Sequence, residues 1–208
     1  MAIVSFKYGF VFIKTTKTAG TSLEVHLARH CDEGDIVTPI LPSVDGHVPR
    51  NYSLPGGAKL YNHISAAEIS ASTGKLLDGF FRFCFDRHPV DKCLSHFGML
   101  TNSPHHRSSD APKSWSEYLD RGSFPVDAEK YVGSDGRLLV DRVFRYEQID
   151  EALREIAMIV RIPYAPLTVR AKSGFRSGVP SVSSVLADPS ARKRIFDAFQ
   201  PTLQFTGY

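Results

Sequence analysis

A chain of 208 residues, 42% hydrophobic and 23% charged, has the composition of a soluble globular protein and is long enough to bury a core as a single domain, residues 1–208. Its net charge of +3 is too small to argue for a nucleic-acid partner and fits an anionic small ligand equally well. No apolar run approaches the roughly 20 residues needed to span a bilayer. The residues before the first strand are too few for a signal peptide, and Cys31, Cys84 and Cys93 show no C-x-x-C spacing. Cys84 and Cys93 lie in apolar sequence as buried thiols, which suits a reducing, cytoplasmic setting.

In chain order, residues 9–13 form a nearly continuous apolar run, the pattern of a parallel strand covered on both faces. The strand runs into Lys14-Thr-Thr-Lys-Thr-Ala-Gly-Thr-Ser22, and a helix is predicted over 21–29, with Leu23 and Leu27 one turn apart on its inner face. Backbone N–H groups at a helix start, hydroxyls and an ammonium converging at a strand end make an anion site. The turn lacks the Gly-x-x-x-x-Gly-Lys-Ser/Thr spacing of an ATP- or GTP-binding loop, which points to a phosphate ligand other than a nucleoside triphosphate.

Residues 31–62 are irregular, with Pro39, Pro42, Pro49, Pro55 and Gly56-Gly57, a length of loop that is usually functional or mobile. Ser65-Ala-Ala-Glu68 has capping-box spacing, so a helix starts just after Ser65 and ends near Gly74. A second strand over 80–85, Phe80-Phe-Arg-Phe-Cys-Phe85, stops at Asp86-Arg87, and Pro89 suits the first turn of a helix carrying Leu94, Phe97 and Leu100. Residues 101–114 read as an exposed polar loop, including His105-His106-Arg107, which has no partner residues for a metal site. A third strand over 138–146 leads into a helix over about 148–160 with Leu153, Ile156 and Val160 as its apolar stripe. Asp188-Pro189 is a further helix start. Strands alternating with helices imply a parallel sheet with helices on both faces and a ligand beyond the carboxyl ends of the strands.

Three segments end where that ligand belongs: 14–22, 87–95 and 145–147. The first two supply Lys14, Lys17, Thr18, Thr21, Ser22, Arg87 and Ser95, donors suited to phosphate or sulfate oxygens. Two separate anion sites suggest a ligand with two phosphate groups some distance apart. An arginine directly after a buried strand is costly unless paired, and either an anionic ligand or a structural carboxylate fills that need.

Lys17-Thr-Ala-Gly-Thr-Ser22 resembles the 5'-phosphosulfate loop of sulfotransferases that use 3'-phosphoadenosine 5'-phosphosulfate (PAPS), and Arg87-His-Pro-Val-Asp-Lys-Cys-Leu-Ser95 resembles their 3'-phosphate motif. His63-Ile-Ser-Ala-Ala-Glu-Ile69 is similar to a segment of the carbohydrate-type branch, especially its short bacterial members. Arg145-Tyr-Glu147 and the closing Phe205-Thr-Gly-Tyr208 also fit, so the resemblance covers nearly the whole chain in order. It implies an α/β fold, a P-loop-like three-layer sandwich with a central parallel sheet flanked by helices. It also implies transfer of a sulfonate from PAPS to a hydroxyl acceptor, a carbohydrate or other small metabolite, leaving adenosine 3',5'-bisphosphate (PAP).

On that resemblance Lys14, Lys17, Thr18, Ala19, Gly20, Thr21 and Ser22 hold the 5' end, and Arg87 and Ser95 the 3'-phosphate. Lys172 and Ser173, in the basic segment Lys172-Ser-Gly-Phe-Arg176, either close over that phosphate or belong to a solvated loop. Lys14 stands between a second phosphate contact and a solvated residue at the strand end. Sulfuryl transfer rests on positioning and charge stabilisation and requires no metal. Lys17 is the cation for the leaving phosphate, His63 the leading general base and Glu24 the reserve. The rivals are a nucleotide kinase or NTPase with a degenerate loop, using Asp86 for magnesium, and a non-catalytic nucleotide-binding protein.

Overall fold

The computed structural model describes residues 2–104, 106, 108–168 and 174–208. Its elements begin with β1 (Ala2–Ser5), β2 (Phe10–Ile13), α1 (Gly20–Ala28), β3 (Ile36–Val37), α2 (Ala66–Thr73) and β4 (Phe81–Asp86). They continue through α3 (Pro89–Asn102), α4 (Trp115–Arg121), α5 (Ala128–Tyr131), β5 (Arg142–Arg145), α6 (Ile149–Val160), α7 (Val182–Ala187) and α8 (Pro189–Thr206).

The strands form one sheet of order β3-β1-β2-β4-β5. As the alternating pattern requires, β2 pairs in parallel with β4, and β4 with β5, Ile13 standing opposite Cys84 and Asp86 opposite Arg145. The other edge differs from the sequence expectation: β1 is an additional strand, antiparallel to both β2 and β3. The reason is connection length. Residues 6–9 join β1 to β2 through a turn with Gly9 at a φ of 64°, and a parallel crossover needs a dozen or more residues. A strand of three apolar residues and a serine at the chain start carries too little pattern to read in isolation.

Contacts divide the chain into two compact units, one of Met1–Asp86 with Asp127–Ala171, the other of Arg87–Val126 with Lys172–Tyr208. The first contains the sheet. Its core joins Phe10, Phe12, Phe83, Phe85 and Phe144 from the strands to Leu23 and Leu27 of α1 and Leu153, Ile156 and Val160 of α6. Every residue of α1 is buried, so that helix is enclosed rather than amphipathic, whereas α6 shows the apolar stripe its spacing predicts. The second unit packs Val90, Leu94 and Phe97 of α3 against Tyr118 of α4, Val185 of α7 and Ile195 and Phe199 of α8. Its helices start as their sequences dictate: Pro89 and Pro189 occupy first-turn positions, and Asp188 Oδ1 accepts from the backbone of Ser190 at 2.9 Å and Ala191 at 3.2 Å. Among the described residues no helix is long and apolar enough to cross a membrane.

Phe83 is the hub of the first core, its ring 5.5 Å from that of Phe12 and 6.0 Å from that of Phe144. Phe83→Ala should lower the unfolding free energy by about 3–5 kcal/mol in urea titration, through lost burial and the cavity left behind.

Candidate functional site

The loop between β2 and α1 is held from three directions. The Thr15 hydroxyl donates to the carbonyl of Phe85 on β4. Asp127 accepts from both the Thr16 backbone N–H, at 2.7 Å, and its hydroxyl, at 2.9 Å. His63 Nδ1 lies 3.2 Å from the Lys14 carbonyl. Between these anchors and the helix, Lys17 and Ala19 take left-handed conformations, with φ of 62° and 56°. Such backbone is uncommon outside glycine. Helix α1 then opens with no side-chain cap, so its first N–H groups present the positive end of the helix at the carboxyl side of β2.

Lys14 is neither solvated nor turned outward. It is buried, and its ammonium lies 3.1 Å from both Thr21 Oγ1 and Glu24 Oε2. Its stem crosses Gly20 so closely that a Cβ there would stand 2.5 Å from Lys14 Cγ, which is why this position has no side chain. Glu24 is fully buried in this pair. Thr21 accepts from Lys14 and so retains its own proton to donate, while the Thr18 hydroxyl lies 2.9 Å from that of Thr15. Ser22 is buried, and Lys17 is half-buried.

His63 is placed by the helix that follows it. Ser65 and Glu68 complete the capping box in both directions, fixing the start of α2 and leaving His63 outside it at a φ of 60°. Its bond to the Lys14 carbonyl settles the tautomer. A carbonyl oxygen only accepts, so Nδ1 carries the proton and Nε2 keeps the lone pair of a base. Burial, reinforced by the charge of Lys14 and partly opposed by Asp127, lowers its pKa from 6.5 to about 4, so the ring is neutral at physiological pH.

The second unit carries the Arg87 motif. Arg87 donates to Asp91 Oδ2 from Nε at 2.7 Å and from Nη2 at 2.6 Å, and Arg176 Nη2 lies 2.5 Å from Asp91 Oδ1. Burial pulls the Asp91 carboxyl upward, but the two guanidiniums outweigh it and the net shift is down. Arg87 therefore has a structural carboxylate partner. Asp91, half-buried Ser95, Gly98 and Asn102 follow one another along α3 at three- and four-residue intervals, a single face of that helix. Residues 175–177 are fastened to this face. Asn102 Nδ2 donates to the carbonyls of Phe175 and Ser177, and a Cβ on Gly98 would meet the Phe175 carbonyl at 2.2 Å. Lys172 and Ser173 lie outside the described residues.

Asp127 and Arg176 were not singled out individually in the sequence. Both act through partners far along the chain, and nothing in the neighbouring Phe124-Pro-Val126 or Ala128 marks Asp127. The expected structure at Ser65, by contrast, is present in full. Among the described residues no group of three or more His, Cys, Asp or Glu side chains is placed to hold a metal ion.

The five-stranded sheet flanked by helices matches the P-loop-like sulfotransferase fold. Over 96% of this chain and 85% of the other, the structure is similar to that of mouse sulfotransferase SULT7A1 complexed with PAP, with a TM-score of 0.54 and 13% sequence identity. At that identity the likeness is one of fold. No protein-family model matches the sequence, and a comparison with curated proteins finds no match.

Two measurements test this geometry. Gly20→Ala should cost about 1–3 kcal/mol of stability in urea unfolding, because the new methyl must push the Lys14 stem away from Glu24. Burial also lowers the pKa values of His26 and His47. With His63 they make the unfolded chain the better proton binder, so stability rises with pH through the window from about 4 to 6.5 and falls on acidification. The urea midpoint should drop between neutral pH and about pH 5, and His63→Gln should flatten part of that slope.

Proposed function

We propose that this chain is a PAPS-dependent sulfotransferase, with residues 1–208 acting as one catalytic domain on a hydroxyl of a carbohydrate or small metabolite in the cytoplasm. The observation that carries the reading is the uncapped start of α1, preceded by a loop with Lys17 and Ala19 at positive φ. That loop supports a seat for a leaving phosphate, and the likeness of the fold to a sulfotransferase complexed with PAP points the same way.

In this reading the acceptor oxygen attacks sulfur while the bond from sulfur to the bridging oxygen breaks, and the electron pair goes to the 5'-phosphate of departing PAP. Lys17 stabilises that developing charge, with backbone and hydroxyl donors of Thr18, Ala19, Gly20, Thr21 and Ser22 around the phosphate. Lys14 contributes by bracing the helix start through Thr21 and Glu24. His63 Nε2 takes the acceptor proton, for which its neutral form and fixed tautomer are suited. Glu24, fully buried beside Lys14, is the weaker candidate for that task. Arg87, Ser95, Lys172 and Ser173 are assigned to the 3'-phosphate, Arg87 being already oriented by Asp91.

The kinase alternative draws on Asp86, but that carboxylate is 1% exposed and accepts the Tyr131 hydroxyl at 2.5 Å, which weighs against its serving a magnesium ion. Calorimetry should find PAP binding without magnesium and much weaker binding of Mg-ATP; the reverse order would favour the kinase. A non-catalytic binding protein would bind PAP yet transfer no labelled sulfonate to any acceptor in a broad panel. Lys17→Ala should lower turnover by roughly 10²–10³-fold, the range for losing one transition-state donor. His63→Ala should abolish turnover while PAP still binds, weakened at most about tenfold by loss of the contact to the Lys14 carbonyl, and near-normal turnover would move the base elsewhere.

A further inference from the structure

Asp127 is 2% exposed, and a carboxylate in that position needs its oxygens engaged. Each of them is engaged by Thr16: Oδ2 accepts the backbone N–H at 2.7 Å, and Oδ1 accepts the hydroxyl at 2.9 Å. One residue gripped at both its main chain and its side chain has lost its freedom to rotate, and that residue stands immediately before Lys17, where the backbone turns to positive φ. Asp127 is itself fixed, because it precedes α5, and α5 is tied to the sheet at its other end. Tyr131, fully buried, donates its hydroxyl to Asp86 at the carboxyl end of β4. Burial raises the Tyr131 pKa, so this phenol stays a donor. The short α5 is thus a brace between the end of β4 and the middle of the loop.

We infer that Asp127 is a positioning residue for the 5'-phosphate seat, holding Thr16 so that Lys17 and the N–H groups after it keep the conformation that receives the phosphate. The inference rests on the reading of that loop given under Proposed function. Asp127 is not a ligand: a carboxylate facing a phosphate would repel it, and both its oxygens already serve Thr16. Its effect is confined to the 5' end of the nucleotide, which separates it from a merely structural residue.

The test compares PAP with adenosine 3'-monophosphate, which lacks the 5'-phosphate, by calorimetry on the full chain. Wild type should bind PAP more tightly. Asp127→Ala should weaken PAP about tenfold, the size of one charge-assisted hydrogen bond, while leaving adenosine 3'-monophosphate unchanged. Asp127→Asn should restore most of the loss, since its amide oxygen can accept from the Thr16 N–H and its amide nitrogen can donate to the Thr16 hydroxyl. If the alanine variant does not fold, Thr16→Val removes one arm of the clamp and should reduce the preference for PAP in the same sense. A wild type with no preference for PAP would overturn the phosphate-seat reading itself. A wild-type preference that survives in folded Asp127→Ala, an equal loss of both nucleotides, or an asparagine variant no better than alanine would overturn only the role of Asp127.

Discussion

A lysine ammonium enclosed by protein must have a counter-charge, and most of the geometry around the loop follows from how Lys14 finds one. Its ammonium reaches Glu24 from beneath the helix start, 3.1 Å away. To get there the stem passes across position 20, which therefore holds glycine, and the helix bearing Glu24 must be sunk deep enough to bury all its residues. A buried ion pair is a poor source of net stability, because desolvation offsets much of the attraction, but removing one partner strands the other. What the pair supplies is orientation. It joins the end of β2 to the first turn of α1, leaving the intervening residues to be shaped by the anchors at Thr15 and Thr16.

Much of this was legible in the sequence wherever the signal was local. The capping box at Ser65 and Glu68, the prolines at 89 and 189, the phenylalanine-rich strand and the stripe Leu153, Ile156 and Val160 each depend on residues a few positions apart, and each is found in the structure. The direction of Lys14 was not legible. Lysines in polar sequence are usually solvated, and only the fold shows that this one turns inward. Asp127 was missed for the same reason, since its partner Thr16 is 111 positions away. The antiparallel edge of the sheet depended on a strand too short to carry a pattern.

Arg87 has a partner in the helix that follows it. Held by Asp91 through two nitrogens, it meets the requirement that a cation largely withdrawn from water be paired. The same contact fixes the plane of the guanidinium, and pre-orientation lowers the entropy lost when an anion is bound. Arg176 on the other carboxylate oxygen extends that order to residues 175–177, which Gly98 and Asn102 already bind to α3. The structural pairing with Asp91 is therefore compatible with the anion-binding role proposed for Arg87.

The division of the chain has a consequence for how the protein is made. Each compact unit is assembled from two separate stretches of sequence, so the polypeptide leaves the first unit after Asp86, returns to it at Asp127 and departs again after Ala171. During synthesis β4 emerges long before its parallel neighbour β5, and α3 and α4 of the other unit appear in between. For that interval the Phe83 side of the sheet has an unfilled edge, the kind of surface on which nascent chains associate wrongly. The brace at α5 is translated late in that interval, shortly before β5, so the loop acquires its last anchor at about the time the sheet acquires its last strand.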